Sequence, residues 1–170
     1  MGFRLLFASL LALALPSRAA AYEDRWSLEA GPLVSSIPNG GSNHWGGGAT
    51  LRTTFGLNDV WTLRCQGAYA IHPGTTDLHV GALGIDAVYM IDIVEWVPFL
   101  GLGIDAILSS AAGQTLWDPA VHLSIGVDYL LSRDLYVGVE VNHILLPFND
   151  ASLDPVLFLV SLRMGLLFDT

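Results

Sequence analysis

The sequence contains no lysine, a single cysteine and little charge of any kind. Seven arginines face 16 acidic residues, the formal net charge is -9, and charged residues make up 14% of the chain. A chain this acidic offers no cationic surface to a phosphate backbone, which excludes nucleic acid as a partner. The lone Cys65 cannot form an internal disulfide, so we interpret it as a small apolar side chain on a strand.

Long hydrophobic runs are also absent, except at the extreme N-terminus. There a basic Arg4 precedes an apolar stretch, a break at Pro16 and three alanines, a pattern typical of a signal peptide cleaved before Tyr22. About 11 apolar residues are too few for the roughly 20 that a membrane-spanning helix needs. We therefore predict a signal peptide over 1–21 and one exported domain over 22–170.

Apolar residues of the remaining chain alternate with polar or small ones, the period at which side chains face opposite sides of a sheet. The last segment is the clearest, because its apolar face from Val156 to Phe168 opposes Ser161, Arg163 and Gly165. Seven further segments repeat the pattern: 26–31, 45–55, 61–71, 78–90, 96–108, 121–131 and 135–141. In 78–90 the first residues are out of phase, which predicts a bulge near Gly81.

The connections predict how these segments are arranged. Short turns are expected at Gly56–Val60, Asp92–Glu95 and Ser132–Asp134, with one further short loop at His72–Thr75. Longer loops rich in Gly, Pro, Asn and Ser are expected at Ser35–His44, Ser109–Pro119 and Leu146–Asp154. Short turns at one end and longer loops at the other are typical of outer-membrane barrels. The prediction is an all-β, closed, eight-stranded antiparallel up-and-down transmembrane barrel with both termini in the periplasm.

Aromatic residues support this arrangement, because membrane-interface belts prefer Trp and Tyr. Seven of them fall on the outward face near the short turns: Trp26, Phe55, Trp61, Tyr89, Trp96, Tyr129 and Phe168. Trp45 and Tyr69 fall near the opposite rim, as a thinner second belt. A soluble barrel would carry its apolar residues inside, whereas here the charged residues take the inward positions.

Four segments share a glycine, a branched residue and an acid, with the glycine and the acid facing inward. The motif occurs as Gly84-Ile85-Asp86, Gly103-Ile104-Asp105, Gly126-Val127-Asp128 and Gly138-Val139-Glu140. Because unpaired buried charges are costly, we predict one lumenal charge network that fills the barrel, formed by Glu29, Arg52, Arg64, Asp86, Asp105, Asp128, Glu140 and Arg163. Two alternatives are a gate whose ion pairs exchange partners to pass ions, and a cation site.

The last strand carries the most specific motif, a run Arg163-Met164-Gly165-Leu166-Leu167-Phe168. It resembles the assembly signal of the small outer-membrane β-barrels typified by the transmembrane domain of outer membrane protein A and by outer membrane protein X. The resemblance covers residues 26 to 168. It implies export through the periplasm, insertion by the barrel-assembly machinery and contact with outer-membrane lipids. We predict no cofactor and no metal.

Some barrels of this size modify lipid A, and the deacylase among them uses a lipid-facing His with a Ser two residues later. His143 resembles that position, but Leu145 stands where the nucleophile is needed. The other histidines, at 44, 72, 79 and 122, show no zinc spacing. We predict a non-enzymatic structural or surface-interaction role, with any unknown surface ligand bound by the outer loops. A narrow gated pore for small ions or solutes is the second hypothesis.

Overall fold

A computed structural model describes residues 25–39, 42–91, 95–147 and 156–169 as one closed antiparallel barrel of eight strands in sequence order. The strands are β1 (Arg25–Asn39), β2 (Ser42–Gly56), β3 (Trp61–His72), β4 (Leu78–Met90), β5 (Trp96–Ala111), β6 (Gln114–Leu130), β7 (Leu135–Leu145) and β8 (Val156–Asp169). β8 pairs with β1 to close the barrel. The predicted signal peptide over 1–21 lies outside the described residues. No helix in the described residues has the length and apolar character to cross a membrane.

The pairing register fixes the tilt of the strands. Followed once around the barrel from Trp26, the paired residues return to β1 at Ser36, ten positions further along the same strand. With about 3.3 Å per residue and about 4.7 Å between strands, that displacement tilts the strands by roughly 40°. Each residue therefore advances by about 2.5 Å along the barrel axis.

The two ends of the barrel differ. β1 begins and β8 ends at one end, called here the terminal end, and the connections at this end are the predicted short turns between β2 and β3, β4 and β5, and β6 and β7. Arg25 ties this end together, because its guanidinium pairs at 2.7 Å with both Asp134 of the last turn and Asp169 of β8. The opposite end is called the far end.

The prediction of long loops at the far end is wrong in two places. β1 and β2 extend to Asn39 and Ser42, so most of Ser35–His44 is strand. β5 and β6 likewise pair as far as Ala111 and Gln114, across most of Ser109–Pro119. Gly, Ser, Asn and Pro are frequent in loops, but these hairpins extend beyond the ends of the neighbouring strands, where the outer strand edge needs no hydrogen-bond partner. Of Leu146–Asp154, residues 148–154 lie outside the described part of the chain.

The β5–β6 hairpin closes through Ala112 and Gly113, both of which have positive φ, at 51° and 79°. Two consecutive positive φ angles are characteristic of the tight turn whose twist matches that of the flanking strands. Glycine adopts this conformation freely, whereas alanine does so at a cost.

The bulge predicted near Gly81 is also wrong. β3 and β4 pair without interruption from His72 and Leu78 to Trp61 and Tyr89. Val80 faces inward and is buried in the apolar cluster that fills the far half of the lumen. Val80 breaks the apolar-outward alternation of the sequence only if the lumen is expected to be polar along its whole length.

Candidate functional site

The middle of the lumen holds three buried arginines, from β2, β3 and β8, among five carboxylates. Arg163 contacts Glu29 at 2.9 Å, Glu140 at 3.1 Å and both oxygens of Asp128 at 2.6 and 2.7 Å. Its guanidinium also lies over the ring of Phe99, 4.2 Å from the centroid. One arginine thus neutralises carboxylates from three different strands.

Glu140 on β7 connects all three arginines. One of its oxygens accepts from Arg64 at 2.5 Å and from Arg163, and the other accepts from Arg52 at 3.0 Å. Asn142, two residues later on the same strand, donates to the same carboxylate at 2.6 Å. All of these hydrogen bonds come from side chains of the barrel strands. The carboxylate of Glu140 is fully buried, and both of its oxygens accept hydrogen bonds.

Arg64 extends the network toward the far end. Its guanidinium binds Asp86 at 2.5 to 3.1 Å and donates to the hydroxyl of Ser124 at 2.9 Å. Asp86 in turn lies 3.5 Å from Nε2 of His122, whose Nδ1 is 2.6 Å from Asp105. The imidazole of His122 therefore links Asp105 to the arginine cluster.

Each acidic residue of the network has a glycine directly opposite it on a neighbouring strand. The pairs are Glu29 with Gly165, Asp86 with Gly103, Asp105 with Gly84, Asp128 with Gly138, and Glu140 with Gly126. A side chain at Gly84, Gly103 or Gly138 would collide with the acid of the adjacent strand. Three of the four motif glycines thus leave the volume that the neighbouring carboxylates occupy, and the fourth, Gly126, leaves room for the ring of Phe99.

Two apolar layers enclose the charged layer. Toward the terminal end lie Val88, Met90, Val97, Phe99, Tyr136 and Leu167. Toward the far end lies a thicker cluster that includes Leu33, Ile37, Val80, Ile107, Ile144, Leu146, Leu157 and Leu159. The charges lie between two apolar layers, an arrangement that the alternation of the sequence did not reveal.

All eight residues predicted for the network lie in the lumen, and the structure connects them through shared hydrogen bonds. Sequence reasoning missed His122, which it treated as isolated, and the neutral members Gln66, Ser124 and Asn142. Their inward position on the strands was the available signal. Three arginines against five carboxylates give these eight residues a net charge of -2, and His122 has a carboxylate beside each of its ring nitrogens.

The seven predicted belt residues form one ring around the terminal end, called here the terminal ring. Their contacts run between adjacent strands: Trp26 stacks on Phe168 at 4.3 Å, Trp61 meets Tyr89 edge-on at 5.2 Å, and Trp96 lies 4.8 Å from Tyr129. Trp26 is also the register partner of Phe55.

A second ring, the far ring, surrounds the barrel toward the far end. Its outward-facing members are Trp45, Tyr69, His79, Trp117, His143 and Phe158. On β2 the two rings are ten residues apart, from Phe55 to Trp45, which corresponds to about 25 Å along the axis.

Between the rings the outward-facing side chains of the described strands are apolar or glycine, with one exception. The exception is Thr53, whose hydroxyl donates to the backbone carbonyl of Ser27 at 3.0 Å. Leu83, Leu102 and Ile125 are about 60% exposed, an exposure that large aliphatic side chains avoid in water when they lie side by side. The barrel therefore has an apolar outer wall about 25 Å tall.

The described residues contain no group of three or more His, Cys, Asp or Glu side chains arranged to hold a metal ion. His143 faces outward and stacks on Phe158, with ring centroids 4.6 Å apart, and Leu145 is exposed beside it. Leu145, two residues after His143, has no hydroxyl that could act as a nucleophile.

No protein-family model matches the chain, and no curated protein matches it. Among solved structures, Neisserial surface protein A superposes with a TM-score of 0.71 and 13% identity, over 85% of this chain and 97% of that one. OprG of Pseudomonas aeruginosa gives 0.66 and 14%, over 88% and 98%. Ail of Yersinia pestis gives 0.58 and 17%, over 86% and 99%, and has also been solved with the heparin analogue sucrose octasulfate. The fold is that of the small eight-stranded outer-membrane β-barrels.

Proposed function

We propose that this chain is an integral protein of the bacterial outer membrane with a structural or surface-interaction role and a closed lumen. The observation that carries the proposal is the apolar wall between the two rings. Its height of about 25 Å equals the apolar band of outer-membrane barrels, and girdles of aromatic residues at both interfaces are the other feature of that class. The terminal end is then periplasmic and the far end faces the outside.

Heat-modifiable gel mobility tests the membrane proposal directly. The protein folded in detergent or vesicles is expected to migrate differently before and after boiling, because a closed barrel resists denaturation by detergent at room temperature. Cell fractionation is expected to place it with the outer membrane. A protein that migrates identically in both states and stays in the soluble fraction would contradict the proposal.

The lumen favours a filled barrel over a pore. Any ion passing along the axis would cross two apolar layers and a charged layer whose members are already hydrogen-bonded to one another. In planar bilayers we expect no regular conductance steps. Regular openings that disappear on Arg64→Gln would support the second hypothesis, a gated pore, for which the sharing of Glu140 among three arginines is the supporting observation.

We propose that the barrel has no lipid-modifying activity. His143 has an aromatic ring on one side and Leu145 two residues away, so an acyl-enzyme route has no nucleophile there. Mass spectra of lipid A from cells with and without the protein are expected to be identical. Loss of an acyl chain in expressing cells would restore the enzyme hypothesis.

The nature of a surface ligand is constrained by charge. Ail, a barrel of this fold, forms a complex with a polyanion, sucrose octasulfate. Among the described residues of this chain, the far end has no arginine or lysine, and Asp77 and Asp118 lie there, on the β3–β4 connection and on β6. At neutral pH we therefore expect no binding of sulfated saccharides, a point that heparin affinity chromatography checks.

A further inference from the structure

The outer wall of the barrel carries a groove that begins at the terminal ring. It has a volume of about 850 Å³ and lies between two neighbouring rows of outward-facing side chains. The row on its terminal side consists of register partners on five strands: Trp96, Tyr129, Val137, Met164 and Ala30. The row on its far side includes Val139, Leu162 and Pro32. The groove therefore crosses β5, β6, β7, β8 and β1 as one continuous channel on the outer surface.

Small side chains on β1 open this groove. Ala30 and Pro32 lie there between Leu28 and Val34, whose larger side chains are 45% and 50% exposed. Proline has no N–H to donate to the neighbouring strand, and the pairing of β1 with β8 is interrupted at residues 31 and 32. A methyl group and a proline ring project less than leucine does, so the wall is recessed at this place.

The length of the groove matches one leaflet of a membrane. From Trp96 to Ala30 the row makes four steps between strands, which at about 4.7 Å each amount to about 19 Å. With strands tilted by roughly 40°, these steps rise by about 12 Å along the barrel axis. That is half the height of the apolar wall. An extended acyl chain that enters at the terminal ring and follows the groove ends near the middle of the membrane.

The entrance of the groove combines a carboxylate with two aromatic rings. The hydroxyl of Tyr129 donates to Oε2 of Glu95 at 3.3 Å, and the rings of Tyr129 and Trp96 lie 4.8 Å apart at 51°. Glu95 is exposed and forms no ion pair in the described part of the chain, where Arg25 is paired with two other carboxylates. A carboxylate beside aromatic faces is a suitable site for a cationic amine.

We propose that this groove binds one acyl chain of a phospholipid whose headgroup carries a primary ammonium, and that Glu95 binds this ammonium beside the rings of Trp96 and Tyr129. The inference rests on the proposed outer-membrane orientation, which makes the lipid one of the periplasmic leaflet. The ammonium donates charge-assisted hydrogen bonds to the carboxylate and is attracted by the ring faces. An anionic lipid of the same chain length fits the groove equally well, but its headgroup meets the negative charge of Glu95. The site therefore selects phosphatidylethanolamine over phosphatidylglycerol.

Native mass spectrometry of the folded barrel in detergent tests the proposal. The protein is titrated with phosphatidylethanolamine and, separately, with phosphatidylglycerol that has identical acyl chains. Both lipids carry a phosphate, so a difference between them reports the rest of the headgroup. We expect one phosphatidylethanolamine to bind at a lipid concentration several-fold lower than phosphatidylglycerol requires.

Three variants separate the headgroup contact from the groove. Glu95→Gln keeps an oxygen for the Tyr129 hydroxyl and removes the charge, so the preference between the two lipids is expected to disappear. Ala30→Phe fills the groove and should weaken the binding of both lipids several-fold. Ala87→Phe is the matched control, because Ala87 is an exposed, outward-facing alanine of β4 that does not line this groove. It should bind both lipids as the wild type does.

Equal binding of the two lipids, a preference that survives in Glu95→Gln, or equal effects of Ala30→Phe and Ala87→Phe would overturn the proposal. A preference for phosphatidylglycerol would also overturn it, because the lipid would then be selected by a cation such as Arg133 of the β6–β7 turn. Gel mobility before and after boiling is measured on every sample. A heat-modifiable barrel without the expected preference refutes the lipid site alone, whereas a chain that never becomes heat-modifiable in detergent or vesicles refutes the membrane proposal.

Discussion

Replacing Arg163 with methionine is the sharpest test of the charged layer. Methionine preserves most of the side-chain volume but removes the partner of Glu29, Asp128 and one oxygen of Glu140. Among the described residues Arg163 is the only cation paired with Asp128, so that carboxylate would be left buried without a counter-charge. Breaking a buried ion pair from one side costs about 3–5 kcal/mol.

The chain supplies a matched control at the terminal end. Arg25 also pairs with two carboxylates at 2.7 Å, but the side chains of Asp134 and Asp169 are 70% and 86% exposed. Solvent screens such pairs, so Arg25→Met should cost about 1 kcal/mol or less. A second variant, Arg163→Met with Asp128→Asn, should recover part of the loss, because it removes the orphaned charge together with its partner.

Urea titration of the barrel in vesicles, followed by tryptophan fluorescence and by gel mobility, measures these free energies of unfolding. We expect Arg163→Met to be destabilised far more than Arg25→Met, and the double variant to lie between Arg163→Met and the wild type. Equal losses at Arg163 and Arg25, or a double variant less stable than Arg163→Met, would refute the argument that burial makes these pairs indispensable.

Three further predictions concern the wall, the glycines and the β5–β6 turn. Leu102→Arg, at mid-height of the apolar wall, should reduce stability in bilayers by about 2–4 kcal/mol, whereas Gln114→Arg at the hairpin tip should have almost no effect; equal effects in a urea titration would contradict a lipid-facing wall. Gly103→Ala should greatly lower the yield of heat-modifiable protein, because its Cβ would enter the space of the neighbouring aspartate, while Gly47→Ala has open space and should fold normally. Ala112→Asn should stabilise the barrel by about 1 kcal/mol, because asparagine tolerates positive φ better than alanine; an unchanged or lower urea midpoint would show that the turn is not strained.

Most of the fold could be predicted from local patterns. The two-residue period located all eight strands, and the aromatic residues of the terminal ring followed from it, because a side chain's face depends only on its parity within the strand. The bulge near Gly81 was wrong because an inward-facing Val80 was not expected in the lumen, and the two loop errors fell where composition replaced periodicity. Ser35–His44 and Ser109–Pro119 contain typical loop residues, yet they continue as β-hairpins whose outermost residues pair only within the hairpin.

The sequence predicted which charged residues form the candidate site, but not how they contact one another. Parity placed the acids and arginines in the lumen, but it could not show that Glu140 joins three arginines from three strands, or that His122 links Asp105 to them. Those contacts cross the barrel between residues far apart in sequence. They depend on the register of every intervening strand pair.

The sequence by itself determined which side chains face outward and which face inward, since alternation along a strand needs no tertiary information. The tertiary structure decided the height of each residue, because the ten-residue displacement around the closed barrel sets the tilt and hence the level at which the strands meet. Only with heights known do the inward residues separate into an apolar layer, a charged layer and a second apolar layer. The same heights bring Arg52, Glu140 and Arg163, distant in the chain, to one level of the lumen.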